Sequence, residues 1–91
     1  MNPMIDNTTS EALVITQEEC AEVIQAISKV FRFGEQSNRE HLEEEVGQTL
    51  ALFDILIERC ILSDSNVNAA RLAKKEKLKQ WSNLFAYEQY K

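Results

Sequence analysis

The chain has 91 residues, of which 44% are apolar and 27% are charged, and its formal net charge is −5. This composition indicates a single small globular domain, and the acidic balance argues against general binding to nucleic acid. A chain this short buries only a limited core, so we expect it to be completed by oligomerisation.

The first predicted helix runs from about Thr16 to about Arg32. Thr16-Gln17-Glu18-Glu19 fits a capping box, and Gly34 is a natural stop after the last turn. Residues 1–10 are polar and aperiodic, so we expect a flexible arm over residues 1–14 and the helical domain over residues 15–91. The expected core stripe of this helix consists of Cys20, Val23, Ile24, Ile27, Val30 and Phe31.

A short polar loop is predicted over residues 34–38, followed by a second helix from about Arg39 to about Leu62. The stripe of this helix is broad enough to indicate contact with more than one neighbour. Its expected members are Leu42, Val46, Leu50, Phe53, Ile57 and Ile61, widened by Leu52, Leu56 and Cys60.

Residues 63–66 form a polar turn that offers several caps for a third helix, predicted from about Val67 to Phe85. Trp81 and Phe85 are expected in the core of the protein. Residues 1–66 carry a charge of −9 and residues 67–91 a charge of +4. No strand pattern is visible, so the predicted fold class is all-α, a bundle of about three main helices.

Two acidic clusters are the most informative feature of the chain. Glu19 and Glu22 lie three residues apart on the first predicted helix, and Glu45 and Gln48 repeat this spacing on the second. Residues three apart share one helical face, and like charges placed in this way repel. If the two helices pack together, the carboxylates meet at a seam, where Mg²⁺ would remove the repulsion.

Each of these residues also has a plainer interpretation. Acidic clusters on helices are usually solvated faces, and the lysines of the third helix are more often a solubility face than a phosphate clamp. His41 is expected at the surface. We also expect a cytoplasmic protein in which Cys20 and Cys60 are buried, reduced thiols. The sequence shows no secretory signal and no segment that could span a membrane.

With these residues in place, the chain resembles the MazG-like all-α nucleoside triphosphate pyrophosphohydrolases. Glu19-Cys20-Ala21-Glu22 matches the ExxE motif of that family, and Glu45-Val46-Gly47-Gln48 aligns with its ExxD motif after 22 intervening residues. The segment from Ser28 to Gly34 is similar to short, phage-encoded members. The resemblance covers residues 15–81.

The resemblance implies a Mg²⁺-dependent enzyme, in which Mn²⁺ can substitute. A water activated by the metal or by a glutamate attacks the α-phosphorus of a nucleoside triphosphate, releasing a monophosphate and pyrophosphate. It also implies a homodimer or homotetramer with sites near subunit contacts. The implied metal ligands are Glu19, Glu22, Glu45 and Gln48, and the implied phosphate contacts are Lys29, Arg32, Lys74 and Lys77.

Gln48 departs from the family motif, which has Asp at this position. A neutral amide oxygen suits Mg²⁺ less well than a carboxylate. Three alternatives follow: an enzyme that works with three carboxylates, a helical module that binds a nucleotide or a protein partner without turnover, or an engineered substitution.

Overall fold

The computed structural model describes residues 5–85 of the chain. Within this range the protein is all-α, with three helices: α1 (Asn7–Phe33), α2 (Glu35–Glu58) and α3 (Asp64–Trp81). A short 3₁₀ turn, Asn83–Phe85, follows, and no strand is present in these 81 residues. The prediction of an all-α chain with three main helices is therefore confirmed.

The chain divides into two compact units, residues 1–61 and residues 62–91. The first unit is an α1–α2 hairpin, and the second contains α3. None of the helices in the described part of the chain is both long enough and apolar enough to cross a membrane.

Helix α1 begins nine residues earlier than the sequence predicted. Asp6 is its N-cap, and the Asp6 carboxylate accepts a hydrogen bond of 2.7 Å from the backbone N–H of Thr9. This bond is the main reason why the pKa of Asp6 lies below its ordinary value. The predicted domain boundary at residue 15 thus falls inside a helix, and residues 1–4 of the predicted arm lie outside the described range.

The predicted capping box at Thr16 is wrong because this residue lies in the middle of α1. The Thr16 hydroxyl donates a 2.7 Å hydrogen bond to the carbonyl of Ala12, one turn earlier. Thr side chains can form this bond within a helix as readily as they cap one. Thr16 is therefore a buried residue of the helix interior.

Gly34 alone connects α1 and α2, so the predicted five-residue loop is also wrong. Gly34 adopts φ 101° and ψ 147°, a backbone conformation that is nearly restricted to glycine. Its N–H donates a 2.9 Å hydrogen bond to the carbonyl of Val30. Asn38 was expected at the end of the loop, before the second helix. It lies instead in the first turn of α2, where its side-chain amide donates a hydrogen bond to the Gly34 carbonyl.

Helix α2 ends four residues before the predicted position. Cys60 has a left-handed backbone, with φ 60°. The N–H of Cys60 bonds to the carbonyl of Ile57, and the N–H of Ile61 bonds to that of Leu56, both at 2.9 Å. These two bonds form a Schellman motif, which usually has glycine in the left-handed position. Cys60 is exposed and Cys20 is half-buried, so the expectation of two buried thiols is wrong for the described structure, although both thiols are free.

The seam between α1 and α2 follows a strict alternation of three- and four-residue steps. This spacing is typical of antiparallel helices that pack side by side. Ala26 and Leu56 are the only fully buried apolar residues of the described chain. The seam residues that follow this alternation are all buried or half-buried: Ala12, Thr16, Glu19, Val23, Ala26 and Val30 on α1, and Leu42, Glu45, Thr49, Leu52 and Leu56 on α2. Ser10 is also buried, and Cys20 and Ile57 are half-buried beside them.

The packed seam differs from the predicted stripes by about one residue. Six residues expected in the core are exposed: Ile24, Ile27, Phe31, Val46, Leu50 and Phe53. Small side chains, such as Ala26 and Thr49, face the neighbouring helix in their place, and their size allows the two backbones to approach closely. In the second unit Trp81 is 82% exposed, which contradicts its expected burial, whereas Phe85 is half-buried.

Two glycine substitutions should change stability in opposite directions. Gly34→Ala should lower the free energy of unfolding by about 1–3 kcal/mol because alanine is strained at this backbone conformation. Gly47→Ala should raise it by about 0.5–1 kcal/mol, since Gly47 lies inside α2 with open space around its Cα. Urea unfolding of both variants measures the difference, and effects of the same sign would contradict the turn described here.

Candidate metal centre

Two of the seam positions are occupied by glutamates that face each other across the hairpin. Glu19 projects from the middle of α1 and Glu45 from the first half of α2, and both are packing positions of the three–four pattern. Glu22 lies one turn after Glu19 and is exposed. The three residues each offer a carboxylate oxygen, and these oxygens lie within 4.8 Å of one another. We call Glu19, Glu22 and Glu45 the acidic cluster.

Burial leaves part of the acidic cluster without a polar partner. Glu45 is only 9% exposed. The Oε2 atoms of Glu45 and Glu19 are both buried and accept no hydrogen bond from the protein. A buried carboxylate oxygen without a donor is unfavourable by several kcal/mol when it is charged, and proteins rarely retain one without a compensating ligand. Within the described residues, the hairpin supplies no donor to either Oε2 atom.

The pKa of Glu45 is raised above its ordinary value. The first cause is desolvation, followed by a hydrogen bond to Glu22 that requires a proton between the two carboxyl groups, and by the negative charge of Glu22. Glu19 raises the pKa further, and His41 lowers it. The Glu45 carboxyl therefore keeps its proton to a higher pH than an ordinary glutamate does.

His41 lies beside the cluster as an exposed residue of α2, in agreement with the expectation of a surface position. Its Nε2 atom is 4.0 Å from Oε1 of Glu45, one turn away on the same helix. This distance is longer than a hydrogen bond, so His41 contributes charge when it is protonated rather than a direct contact.

Thr49 fixes the separation of the two helices at the cluster, a role that the sequence did not reveal. Its hydroxyl lies 2.9 Å from the carbonyl oxygen of Glu45 and 3.3 Å from that of Glu19. Within the described residues, the only other side-chain hydrogen bond between α1 and α2 lies beside the turn, where the Ser37 hydroxyl donates to the Phe33 carbonyl at 3.4 Å. The sequence feature that could have indicated this role is the position of Thr49, one turn after Glu45 in the packing pattern.

The dimensions of the acidic cluster fit a divalent cation. At a metal–oxygen distance of about 2.1 Å, oxygens on opposite sides of Mg²⁺ are roughly 4.2 Å apart. The carboxylate oxygens here lie within 4.8 Å, so small changes in side-chain torsion would bring them onto one ion. A cation would also provide the missing partner for the buried Oε2 atoms.

The remaining predicted site residues are all exposed. Gln48 lies on α2 one turn after Glu45. Lys29 follows Glu22 by two turns of α1, nearly in line with it and about 10 Å along the axis. The guanidinium of Arg32 lies 5.0 Å from the ring centre of Phe33, its neighbour in the chain. Lys74 and Lys77 belong to α3, in the second compact unit.

Comparison with known proteins adds no relative to this description. A scan against protein-family models, a search of curated proteins and a search of solved structures each found no match to the chain.

The raised pKa of Glu45 predicts how stability depends on pH in the absence of metal. Between the ordinary glutamate value of 4.5 and the raised value, the folded protein keeps a proton that the unfolded chain has lost. Stability should therefore decrease as pH rises through this window. Glu45→Gln should remove this pH-dependent loss of stability. The variant should therefore unfold at a higher temperature than the wild type at neutral pH in EDTA, and the difference in unfolding temperature should disappear below pH 4.5. Glu44→Gln, at an exposed neighbour, is the control and should not show this pattern.

The interhelical bond of Thr49 predicts a second difference. Thr49→Val should lower the free energy of unfolding by about 1 kcal/mol because it removes this bond without changing the shape of the side chain. Thr16→Val makes the same change at an equally buried position whose hydroxyl bonds only within α1, so its effect should be close to zero. Equal losses in urea unfolding would show that Thr49 does not tie the helices together.

Proposed function

We propose that this protein is a Mg²⁺-dependent nucleoside triphosphate pyrophosphohydrolase that produces a nucleoside monophosphate and pyrophosphate. The main observation in its favour is the acidic cluster: the nearly buried Glu45 carboxylate lies close to two further carboxylates, and its Oε2 atom has no hydrogen-bond donor. The resemblance of the two acidic motifs to the MazG-like pattern supplies the reaction class.

In this proposal, Glu19 and Glu45 hold the ion from inside the seam, and Glu22 holds it from the exposed edge. Bound Mg²⁺ supplies Lewis-acid stabilisation of the charge that develops on the phosphate during hydrolysis. The substrate approaches from the side of Glu22, because Glu19 and Glu45 are covered by the packed helices.

Lys29 is the best-placed of the proposed phosphate contacts because it lies two turns from Glu22 on the same side of α1. Long side chains on a helix lean towards its N-terminus, so the Lys29 side chain can extend several ångströms towards Glu22. Arg32 remains a candidate for the same role. The contact of Arg32 with Phe33 would have to be exchanged for the phosphate.

Gln48 favours a second candidate function, a helical module that binds a nucleotide or a protein partner without turning it over. The three carboxylates of the cluster would retain a cation, while the neutral amide at Gln48 would leave the site one charge short of the family pattern. This module would show metal-dependent nucleotide binding without product.

The decisive experiment measures pyrophosphate release from a panel of ribo- and deoxyribonucleoside triphosphates, with Mg²⁺, Mn²⁺ or EDTA. We expect metal-dependent release that Glu19→Gln and Glu45→Gln reduce to background. Glu18→Gln and Glu44→Gln are matched controls, since each changes an exposed neighbour of a cluster residue and should retain activity.

Two results would contradict the proposed hydrolase. One is normal turnover by Glu45→Gln, and the other is no release by folded wild-type protein that still binds a nucleotide in the presence of Mn²⁺. In the second case, Gln48→Asp separates the alternatives. A large gain in the rate of pyrophosphate release would identify an enzyme whose activity is lowered by Gln48. Continued nucleotide binding without product would identify a binding module.

A further inference from the structure

A groove of about 200 Å³ lies between α1 and α2, near the end of the hairpin that is far from Gly34. Its apolar lining consists of Ala12 and Ile15 on α1 and of Leu52 and Ile55 on α2. Ile15 is 38% exposed and Ile55 39%, so a ligand can reach the groove from solvent. Pockets that enclose drug-sized ligands measure about 300–1,000 Å³, so this groove has room for a single ring system rather than for a complete nucleotide. We call it the hairpin groove.

The hairpin groove lies on the same side of the hairpin as the exposed edge of the acidic cluster. Ile15 and Glu22 each directly precede a seam residue of α1, and Gln48 and Ile55 each directly precede a seam residue of α2. A step of one residue turns a side chain by about 100° around its helix. Because α1 and α2 run in opposite directions, this step leads to the same side of the seam from both helices.

The hairpin groove, the acidic cluster and Lys29 follow one another along this side of α1. Ile15 lies one turn before Glu19 and two turns before Glu22, or about 10 Å from Glu22 along the axis. Lys29 lies the same distance beyond Glu22, towards the turn at Gly34. The parts of a nucleoside triphosphate have the same order, since one sugar joins the base to the α-phosphate and the β- and γ-phosphates continue beyond it. A triphosphate held between the acidic cluster and Lys29 would therefore direct the base towards the groove.

Two residues of opposite charge complete the lining of the hairpin groove. Glu11 precedes Ile15 by one turn and Arg59 follows Ile55 by about one turn, so both lie further from the acidic cluster than the two isoleucines do. An ionised glutamate only accepts hydrogen bonds, and an arginine only donates them. Adenine, cytosine and guanine each carry an exocyclic amino group that can donate to Glu11, and a ring nitrogen or carbonyl oxygen that can accept from Arg59. Uracil and thymine have no amino group, and their single N–H lies between two carbonyl oxygens that a carboxylate repels.

We propose that the hairpin groove binds the base of the nucleotide, and that Glu11 and Arg59 select bases with an exocyclic amino group. This inference rests on the proposed function, because the triphosphate at the acidic cluster brings the base to the groove. Ile15 and Ile55 contact the faces of the base, and the two charged residues fix its orientation through its polar edge. Most small-molecule sites combine an apolar lining with a few polar groups in this way.

The first test locates the base by NMR of the full chain, labelled at its isoleucine methyl groups. The ligand is adenosine triphosphate with a methylene group between the α- and β-phosphorus, which resists hydrolysis, in the presence of Mg²⁺. We expect the ring current of adenine to shift the methyl signals of Ile15 and Ile55. Ile24 and Ile27 directly follow seam residues, so they lie on the opposite side of the hairpin and their signals should not move. Inorganic triphosphate has no base and should leave all four signals unchanged.

Calorimetry of the same two ligands separates failure of the inference from failure of the proposed function. Binding of the analogue without a shift at Ile15 or Ile55 would overturn the inference and leave the proposed hydrolase intact. Equal shifts caused by inorganic triphosphate would have the same meaning. Absence of metal-dependent binding by both ligands would contradict the proposed function, and the inference with it.

A pair of variants measures the apolar contact. Ile15→Ala should raise the dissociation constant of the adenosine analogue about tenfold, because part of the apolar surface that covers the base is lost. The dissociation constant of inorganic triphosphate should not change. Val14→Ala shortens the preceding residue, which is exposed and does not line the groove, and should change neither constant. Circular dichroism checks that both variants remain helical, and equal effects of the two substitutions would overturn the inference.

A second pair of variants tests the selection among bases. The wild type should bind the adenosine analogue more tightly than the matching uridine analogue, and Glu11→Gln should reduce the ratio of the two dissociation constants about tenfold, since an amide both accepts and donates. Glu43→Gln makes the same change at an exposed position of α2 nearer to the turn and should keep the wild-type ratio. A wild type without this preference, or a preference that Glu11→Gln leaves intact, would overturn the role of Glu11.

Discussion

Negative charge buried in a two-helix seam is the constraint on which this structure depends. Glu19 and Glu45 take packing positions that an ordinary hairpin would fill with leucine or alanine, and the Oε2 atom of each lacks a hydrogen-bond donor. Repulsion between carboxylates opposes the packing of α1 against α2, while the apolar residues on either side of them favour it. Burial, and then the neighbouring carboxylates, raise the pKa of Glu45, because a proton there removes a buried charge and part of the repulsion. A divalent cation would relieve more of it.

The number and class of the helices could be predicted from the sequence because helical periodicity is a local property. The approach of Glu45 to Glu19 and Glu22 could also be anticipated, since the three-residue spacing places Glu19 and Glu22 on one face of α1. The orientation of each helix could not. Ile24 and Leu50 are larger and more apolar than Ala26 and Thr49, so hydrophobicity assigned them to the core. Close approach of the two backbones instead favoured the small residues, and this preference depends on the neighbouring helix.

The errors at helix ends have a different physical origin. Asp6 and Thr16 can both cap a helix, and the choice between them depends on whether the intervening residues find packing partners on α2. Likewise, Cys60 accepts a left-handed backbone that its side chain disfavours, because two hydrogen bonds close the end of α2 around it. No local rule assigns such a role to a cysteine, since glycine is the usual choice.

The single-residue connection at Gly34 has a consequence for the order in which the hairpin forms. Residues next to the turn are close in sequence, so joining Val30 to the start of α2 closes a very small loop with little entropic cost. The two helices can therefore pack progressively from the turn outward. Ala26 and Leu42 become packed before Glu19 contacts Thr49. The acidic cluster then forms between helices that are already packed near the turn. The mutual repulsion of its carboxylates therefore arises only after the nucleus of the fold exists.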